Sequence, residues 1–212
     1  MPPHTSMAFA GVGRTYRYSR DDGRALSFRF GDGLTYTNFS YSAPAVLVNG
    51  EAASSARPCQ NVSVEVTVRN SGSAGGAEAV QVYLAGANST DPRVAPAHVR
   101  ALAAFERTRV LAPGETQRLR IPVPHKALSV VVVTDPTTKL APGTLSNASR
   151  VLEAPRRFVV SVGGSQPRPA GVEWARRPSA GEKAFALPGF AGATVHGMPL
   201  GLVGDSTPLA MC

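Results

Sequence analysis

The chain has 212 residues, a formal net charge of +8, 43% hydrophobic and 17% charged residues, and many glycines (21) and prolines (18). That balance suits one substantial core broken by many turns and excludes a disordered or fibrous protein. No run reaches the roughly 18 apolar residues of a membrane span, and the cations are scattered through turns rather than clustered, so neither a membrane nor nucleic acid is expected as a partner.

Residues 1–26 show no sustained period and contain Pro2-Pro3, Gly11, Gly13 and Asp22-Gly23, so they read as a poorly anchored linker. Residues 1–7 carry no basic stretch followed by an apolar one, and no signal peptide is visible. An aromatic-rich stretch follows, with Tyr16, Tyr18, Phe28, Phe30, Tyr36, Phe39 and Tyr41. Aromatic faces stack on sugars, and they also fill sandwich edges and interdomain interfaces. The interface is the favoured reading, with Tyr16, Tyr18, Phe30, Leu34, Tyr36 and Phe39 as its residues.

The first strand is expected over 45–48. Residues 61–70 give the clearest signal, because Val62, Val64, Val66 and Val68 alternate with polar residues and period two sends them to one face. Residues 70–76, Asn-Ser-Gly-Ser-Ala-Gly-Gly, tolerate tight turns. The next strand, over 77–84, places Val80, Val82 and Leu84 on its core face, and the pair forms either a hairpin or a crossing between sheets. Strands are also expected over 101–106 and over 115–123, where Leu119, Ile121 and Val123 alternate. The apolar run 128–134 suits a strand buried on both faces, and 158–162 reads as the last strand. About seven short strands without a helical period predict an antiparallel β-sandwich.

Residues 141–154 read as a surface-loop insertion, which closure entropy tolerates. Residues 168–212 read as a flexible, Pro, Gly and Ala-rich tail. Cys59 and Cys212 have no metal or redox spacing; they could pair, but a last residue is expected to be mobile.

Chemistry-bearing residues are sparse. His4, His98, His125 and His196 share no ligand spacing, so no metal is expected, and no cofactor motif is present. Gly31-Asp-Gly33 lacks the Lys-Ser/Thr and the helix of a phosphate loop. The carboxylates Asp21, Asp22, Asp32, Glu65, Glu78, Asp91, Glu106, Glu115 and Asp135 fall almost all in turns or on polar strand faces, which predicts solvated charge and no catalytic residue. Sequons at Asn38, Asn61, Asn88 and Asn147 point to N-glycosylation and a secretory or extracellular parent.

Gly13-Arg-Thr-Tyr-Arg-Tyr18 followed by Phe30-Gly-Asp-Gly-Leu-Thr-Tyr-Thr37 resembles the join between the second catalytic domain and the C-terminal fibronectin type III-like domain of glycoside hydrolase family 3, the β-glucosidases, β-xylosidases and α-arabinofuranosidases. The similarity continues through Asn70-Ser-Gly, Ala77-Glu-Ala-Val-Gln-Val-Tyr83, Leu102-Ala-Ala-Phe105, Leu111-Ala-Pro-Gly-Glu115, Leu128-Ser-Val130 and Val160-Ser-Val-Gly-Gly-Ser-Gln-Pro167. Asp32 departs from the aromatic usual between the two glycines, which weakens docking onto a partner domain.

The resemblance implies an all-β immunoglobulin/fibronectin type III-like sandwich over 27–167, with a linker remnant at 1–26 and the tail at 168–212. It further implies an accessory domain that braces the catalytic domains of a β-glucoside- or β-xyloside-cleaving enzyme, in cis or in trans, and shapes the active-site rim. Because the family's nucleophile and acid/base residues belong to the preceding domains, the chain is expected to be a fragment or truncated paralogue without hydrolytic activity. The alternative is a stand-alone module that binds carbohydrate or protein, with a polysaccharide as partner.

Overall fold

The computed structural model describes residues 15–18, 29–87, 93–95, 97–133, 148–152, 156–167 and 195–212. Among them two five-stranded sheets enclose one core, and a third sheet of three strands flanks them. The fold is the expected antiparallel all-β sandwich.

In the first sheet β5 (Val62–Asn70) is central. On one side it pairs with β8 (Thr116–Val123), and on the other with β1 (Phe39–Tyr41) and β2 (Ala45–Val48) in succession. The short β3 (Glu51–Ala52) lies beyond β2. The turn between β2 and β3 is Asn49-Gly50, both with positive φ (51° and 95°), as a two-residue hairpin turn of the favoured hand requires. In the second sheet the order is β4 (Ser55–Ala56), β12 (Val195–Leu202), β11 (Arg156–Gly163), β6 (Ala79–Gly86) and β7 (Ala101–Arg107). Since β5 and β6 lie in different sheets, the Asn70–Gly76 turn is a crossing and not a hairpin.

Alternation explains the core. Val62, Val64, Val66 and Val68 of β5 and Leu119, Ile121 and Val123 of β8 face Val80, Val82 and Leu84 of β6 and Phe158, Val160 and Val162 of β11, all buried. Burying a side chain of this size contributes roughly 1.5–3 kcal/mol relative to leaving it exposed.

Four expectations need correction. First, 128–134 is not a strand buried on both faces: His125–Leu128 is a helical turn (α2, following α1 at Thr15–Tyr18). The following β9 (Val130–Val133) lies in the small flanking sheet, with Val130 buried and Val131 and Val132 half-buried. Second, the 141–154 insertion contains β10 (Ala148–Leu152), which pairs with β9 and with β13 (Thr207–Pro208). Third, β11 is not the last strand. Residues 195–212, read as part of a flexible tail, supply β12, β13 and a terminal 3-10 turn (Leu209–Met211), and β12 is hydrogen-bonded on both sides. Fourth, Cys212 is held by a disulfide to Cys59, with Cα atoms 5.0 Å apart. The stretch 168–194 lies outside the described residues.

Candidate functional site

The segment 29–37, which carries the Phe-Gly-Asp-Gly motif, is laid across the outer face of β6. In an ordinary edge-exposed strand the residues between Val80, Val82 and Leu84 would face water. Here Gln81 and Tyr83 are buried instead, at 8% and 1% exposure. The Gln81 amide donates to the carbonyls of Gly31 and Gly164, both at 2.9 Å. Tyr83 Oη donates to Gln81 Oε1 at 2.5 Å and lies 3.4 Å from the Phe30 carbonyl, while Gln166 N donates to that carbonyl at 3.2 Å. Burial, chiefly, holds the Tyr83 phenol above its ordinary range.

Gly31 is dictated by this packing. Its φ is +85°, and a Cβ there would lie 2.1 Å from Gln81 Oε1 and 2.6 Å from Tyr83 Oη, closer than any side chain could stand. Asp32 closes the turn: Asp32 Oδ2 accepts from Arg29 N at 2.8 Å, and its Oδ1 lies 3.2 Å from Arg29 Nη2. The residue that departs from the family pattern is thus turned inward onto Arg29.

At the far end of the segment Thr37 is buried, and its hydroxyl donates to Asn70 Oδ1 at 2.6 Å. Asn70 also accepts from Gly72 N (3.1 Å) and donates to the carbonyls of Ala74 (2.7 Å) and Leu111 (2.8 Å). With no exposed surface, Asn70 fixes both the segment and the crossing turn.

Pinned at both ends, the segment displays its middle. Tyr36 is 96% exposed, Leu34 75% and Phe30 42%. One ring face of Phe30 is covered by Tyr16, with centroids 3.7 Å apart and planes within 6°. Tyr16 itself is fixed, since its Oη accepts from Leu102 N at 3.2 Å, and the Arg17 carbonyl accepts from Val99 N and Arg100 N. This part of the expected linker remnant is therefore docked onto the sandwich rather than poorly anchored. Tyr18 packs on His98, 5.0 Å between centroids.

Of the six residues expected to form an interface, Leu34 and Tyr36 are exposed, and Phe30 is exposed on the ring face that Tyr16 leaves uncovered. Phe39 does not join them: at 3% exposure it belongs to the core. Its place as a buried position of β1 sends the ring inward, where aromatic composition alone could not distinguish core from interface.

Beneath Leu34 lies a cleft of about 340 Å³ lined by Arg29, Asp32, Glu78, Gln81, Arg107 and Ser165 among others. Sequence reading placed Glu78 with the solvated carboxylates. In the structure it is mostly buried, accepts a 2.5 Å hydrogen bond from Tyr41 Oη, and is raised above the ordinary carboxyl range by that burial, with the Tyr41 bond opposing. Burial and the Glu78 charge also raise the Tyr41 phenol. Both carboxylates of the cleft are engaged, Asp32 with Arg29 and Glu78 with Tyr41. By contrast Glu65 is on the outer sheet face, paired with Arg118 and held below the ordinary range first by that hydrogen bond. Among the described residues no group of three or more His, Cys, Asp or Glu could hold a metal ion.

The sequon residues Asn38 and Asn61 are exposed, at the start of β1 and just before β5; Asn88 and Asn147 lie outside the described residues.

Comparison with known proteins agrees with this architecture. Residues 78–166 match the family model of the fibronectin type III-like domain. The chain is 38% identical over 104 residues to a β-glucosidase of Ruminococcus albus, covering 49% of this chain and 10% of that one. It is 35% identical over 114 residues to the probable β-glucosidase H of Neosartorya fischeri, covering 54% of this chain and 13% of that one. The solved structure of a β-D-glucoside glucohydrolase from Trichoderma reesei superposes with a TM-score of 0.51 at 28% identity, over 72% of this chain and 20% of that one. The chain thus spans about a tenth of the length of these curated relatives.

Proposed function

We propose that the chain, whose residues 78–166 match the fibronectin type III-like domain and which is similar to part of β-glucosidases, is the accessory C-terminal sandwich of a family 3 enzyme acting on β-linked glucosides or xylosides. Its task is to seat the catalytic domains through the segment carrying Phe30, Leu34 and Tyr36, and so to brace the enzyme and shape the rim of its active site. The observation that supports this most is the contrast within one short segment. Its backbone is fixed by Gln81, Tyr83 and Asn70, yet its largest apolar side chains are left in water. Aromatic anchors on a rigid frame lose little entropy when covered, which is what an interface core needs.

Two features support a secreted, glycosylated parent: the Cys59–Cys212 disulfide, a bond that persists in oxidising compartments, and the exposure of two sequon asparagines. On this reading the chain by itself does not hydrolyse glycosides, because the family's catalytic carboxylates belong to other domains.

The test is reconstitution. The full chain is mixed with a family 3 β-glucosidase from which its own fibronectin type III-like domain has been deleted, and association and thermal inactivation of the enzyme are measured. Binding that Tyr36→Ala and Leu34→Ser each weaken is expected, with no turnover of aryl β-glucosides or β-xylosides by the chain alone. No association, together with saturable binding to a glycan array abolished by Tyr36→Ala, would establish the chain as a carbohydrate-binding module instead, since a 96% exposed ring also suits stacking on a sugar.

A further inference from the structure

A second recess lies between the C-terminal end of β6, Ala95, Ala97 and His98, α2 and β10. It has two adjoining lobes of about 240 and 230 Å³, which share Arg17, His98, Ser129 and Arg150; Arg156 lines the first and Lys126 the second. No carboxylate is among the described residues lining either lobe.

The cations come from four elements, α1, α2, β10 and β11. Arg17 sits on α1, whose backbone is tied to Val99 and Arg100. Arg150 Nη1 donates to Ser129 Oγ at 2.8 Å, and Ser129 Oγ in turn donates to the Lys126 carbonyl at 2.8 Å. His98 packs under Tyr18. Its imidazole is pushed below its ordinary range, first by burial and then by Arg17, Arg156 and Arg150, so these charges act on one point. Arg17, Lys126 and Arg150 are exposed and His98 is half-buried, so the repulsion among these like charges is screened by water but remains, and an anion among them reverses its sign.

We propose that this recess binds a compact oxyanion, a carboxylate or phosphate group on a small molecule, held chiefly by Arg17, Arg150 and His98. Each lobe is smaller than the roughly 300–1,000 Å³ of a typical ligand cleft, which favours one anionic group over an extended ligand. The guanidinium forks of Arg17 and Arg150 supply paired donors suited to such a group.

A chain of net charge +8 attracts anions without any site, so the test must separate the recess from the general field. Calorimetric titration of the full chain with inorganic phosphate, and separately with glucuronate, is carried out at ionic strength fixed with sodium chloride. Saturable binding of at least one probe is expected, and which of them binds identifies the group. Arg17→Gln and Arg150→Gln each weaken it about tenfold, the loss of one charged hydrogen bond. Arg17 and Arg150 are both exposed, and unchanged circular dichroism verifies the fold of both variants. Arg69→Gln, which removes the same charge from the outer face of the first sheet, leaves binding unchanged. Heats no larger than those of added chloride, or an Arg69→Gln effect equal to that of Arg150→Gln, would overturn the proposal.

Discussion

Tyr41 Oη donates a 2.5 Å hydrogen bond to Glu78 Oε1 across the two sheets, joining β1 to the residue that leads into β6. The carboxyl is nonetheless held above its ordinary range, because burial outweighs that bond. A carboxyl whose folded pKa is raised favours the folded state when protonated. Its contribution is fully present below the unfolded value of about 4.3 and is lost as pH rises through the folded value. We expect the wild type to be more stable, relative to Glu78→Gln, at pH 4 than at pH 8, with the difference changing over the window just above the ordinary carboxyl range. Urea denaturation at stepped pH measures it, and a difference independent of pH would contradict the assignment. Tyr41→Phe removes the opposing bond and should move the titration higher still.

Gly31→Ala tests whether the display segment is pinned as described. The added methyl meets Gln81 Oε1 and Tyr83 Oη and sits at a φ of +85°, so either the backbone or the Gln81–Tyr83 pair must give way. A loss of about 1–3 kcal/mol in denaturant titration is expected, together with faster proteolysis within 29–37. Gly50→Ala is the contrasting variant, since its φ is +95° but nothing lies within 4 Å of the added Cβ; strain alone should cost less there.

Asn70→Ala removes a side chain that makes four hydrogen bonds with no exposed surface. The buried Leu111 carbonyl, the part-buried Ala74 carbonyl, the Gly72 amide and the Thr37 hydroxyl lose their partner, and leaving one buried group unmet costs about 1–3 kcal/mol. A total near 3 kcal/mol is expected, because water reaches the more open Ala74 side. The double variant with Thr37→Val should be less than additive, since the pair shares one bond. Strict additivity in a double-mutant cycle would show the two residues to be uncoupled.

How much of this was legible in the sequence depended on how local its cause was. The valines of β5 read correctly because alternation is a property of the strand itself. The same pattern in β6 identified Val80, Val82 and Leu84 as core, but nothing near Gln81 and Tyr83 signals that a segment some 50 residues earlier covers them. Glu78 was misjudged for that reason. Its burial comes from Tyr41 and from Gly164, where a Cβ would sit 2.2 Å from the carboxylate. The exposure of Leu34 and Tyr36 and the burial of Phe39 were not separable by aromatic composition: Phe39 follows the inward face of its own strand, while the other two lie in the segment before it. Strand β12 was hidden by its composition: Val195-His-Gly-Met-Pro-Leu-Gly-Leu202 contains three residues that weaken strands. It forms because β11 and β4 offer partners on both sides.

The Cys59–Cys212 disulfide ties down the end of the chain that carries β12 and β13. It closes a loop of 153 residues, and in the chain-entropy account such a loop constrains the unfolded ensemble by up to about 5 kcal/mol. Cys59→Ser or Cys212→Ser should cost roughly 2–5 kcal/mol, read as a lowered denaturant midpoint. The loss should be local before it is global. Residues 195–212 carry β12, β13 and the terminal turn, and with the bond gone their amide protection in hydrogen exchange should fall while that of β5 and β8 persists. Equal loss of protection across all strands would show instead that the C-terminal strands and the core unfold as one unit, with the disulfide stabilising the whole sandwich.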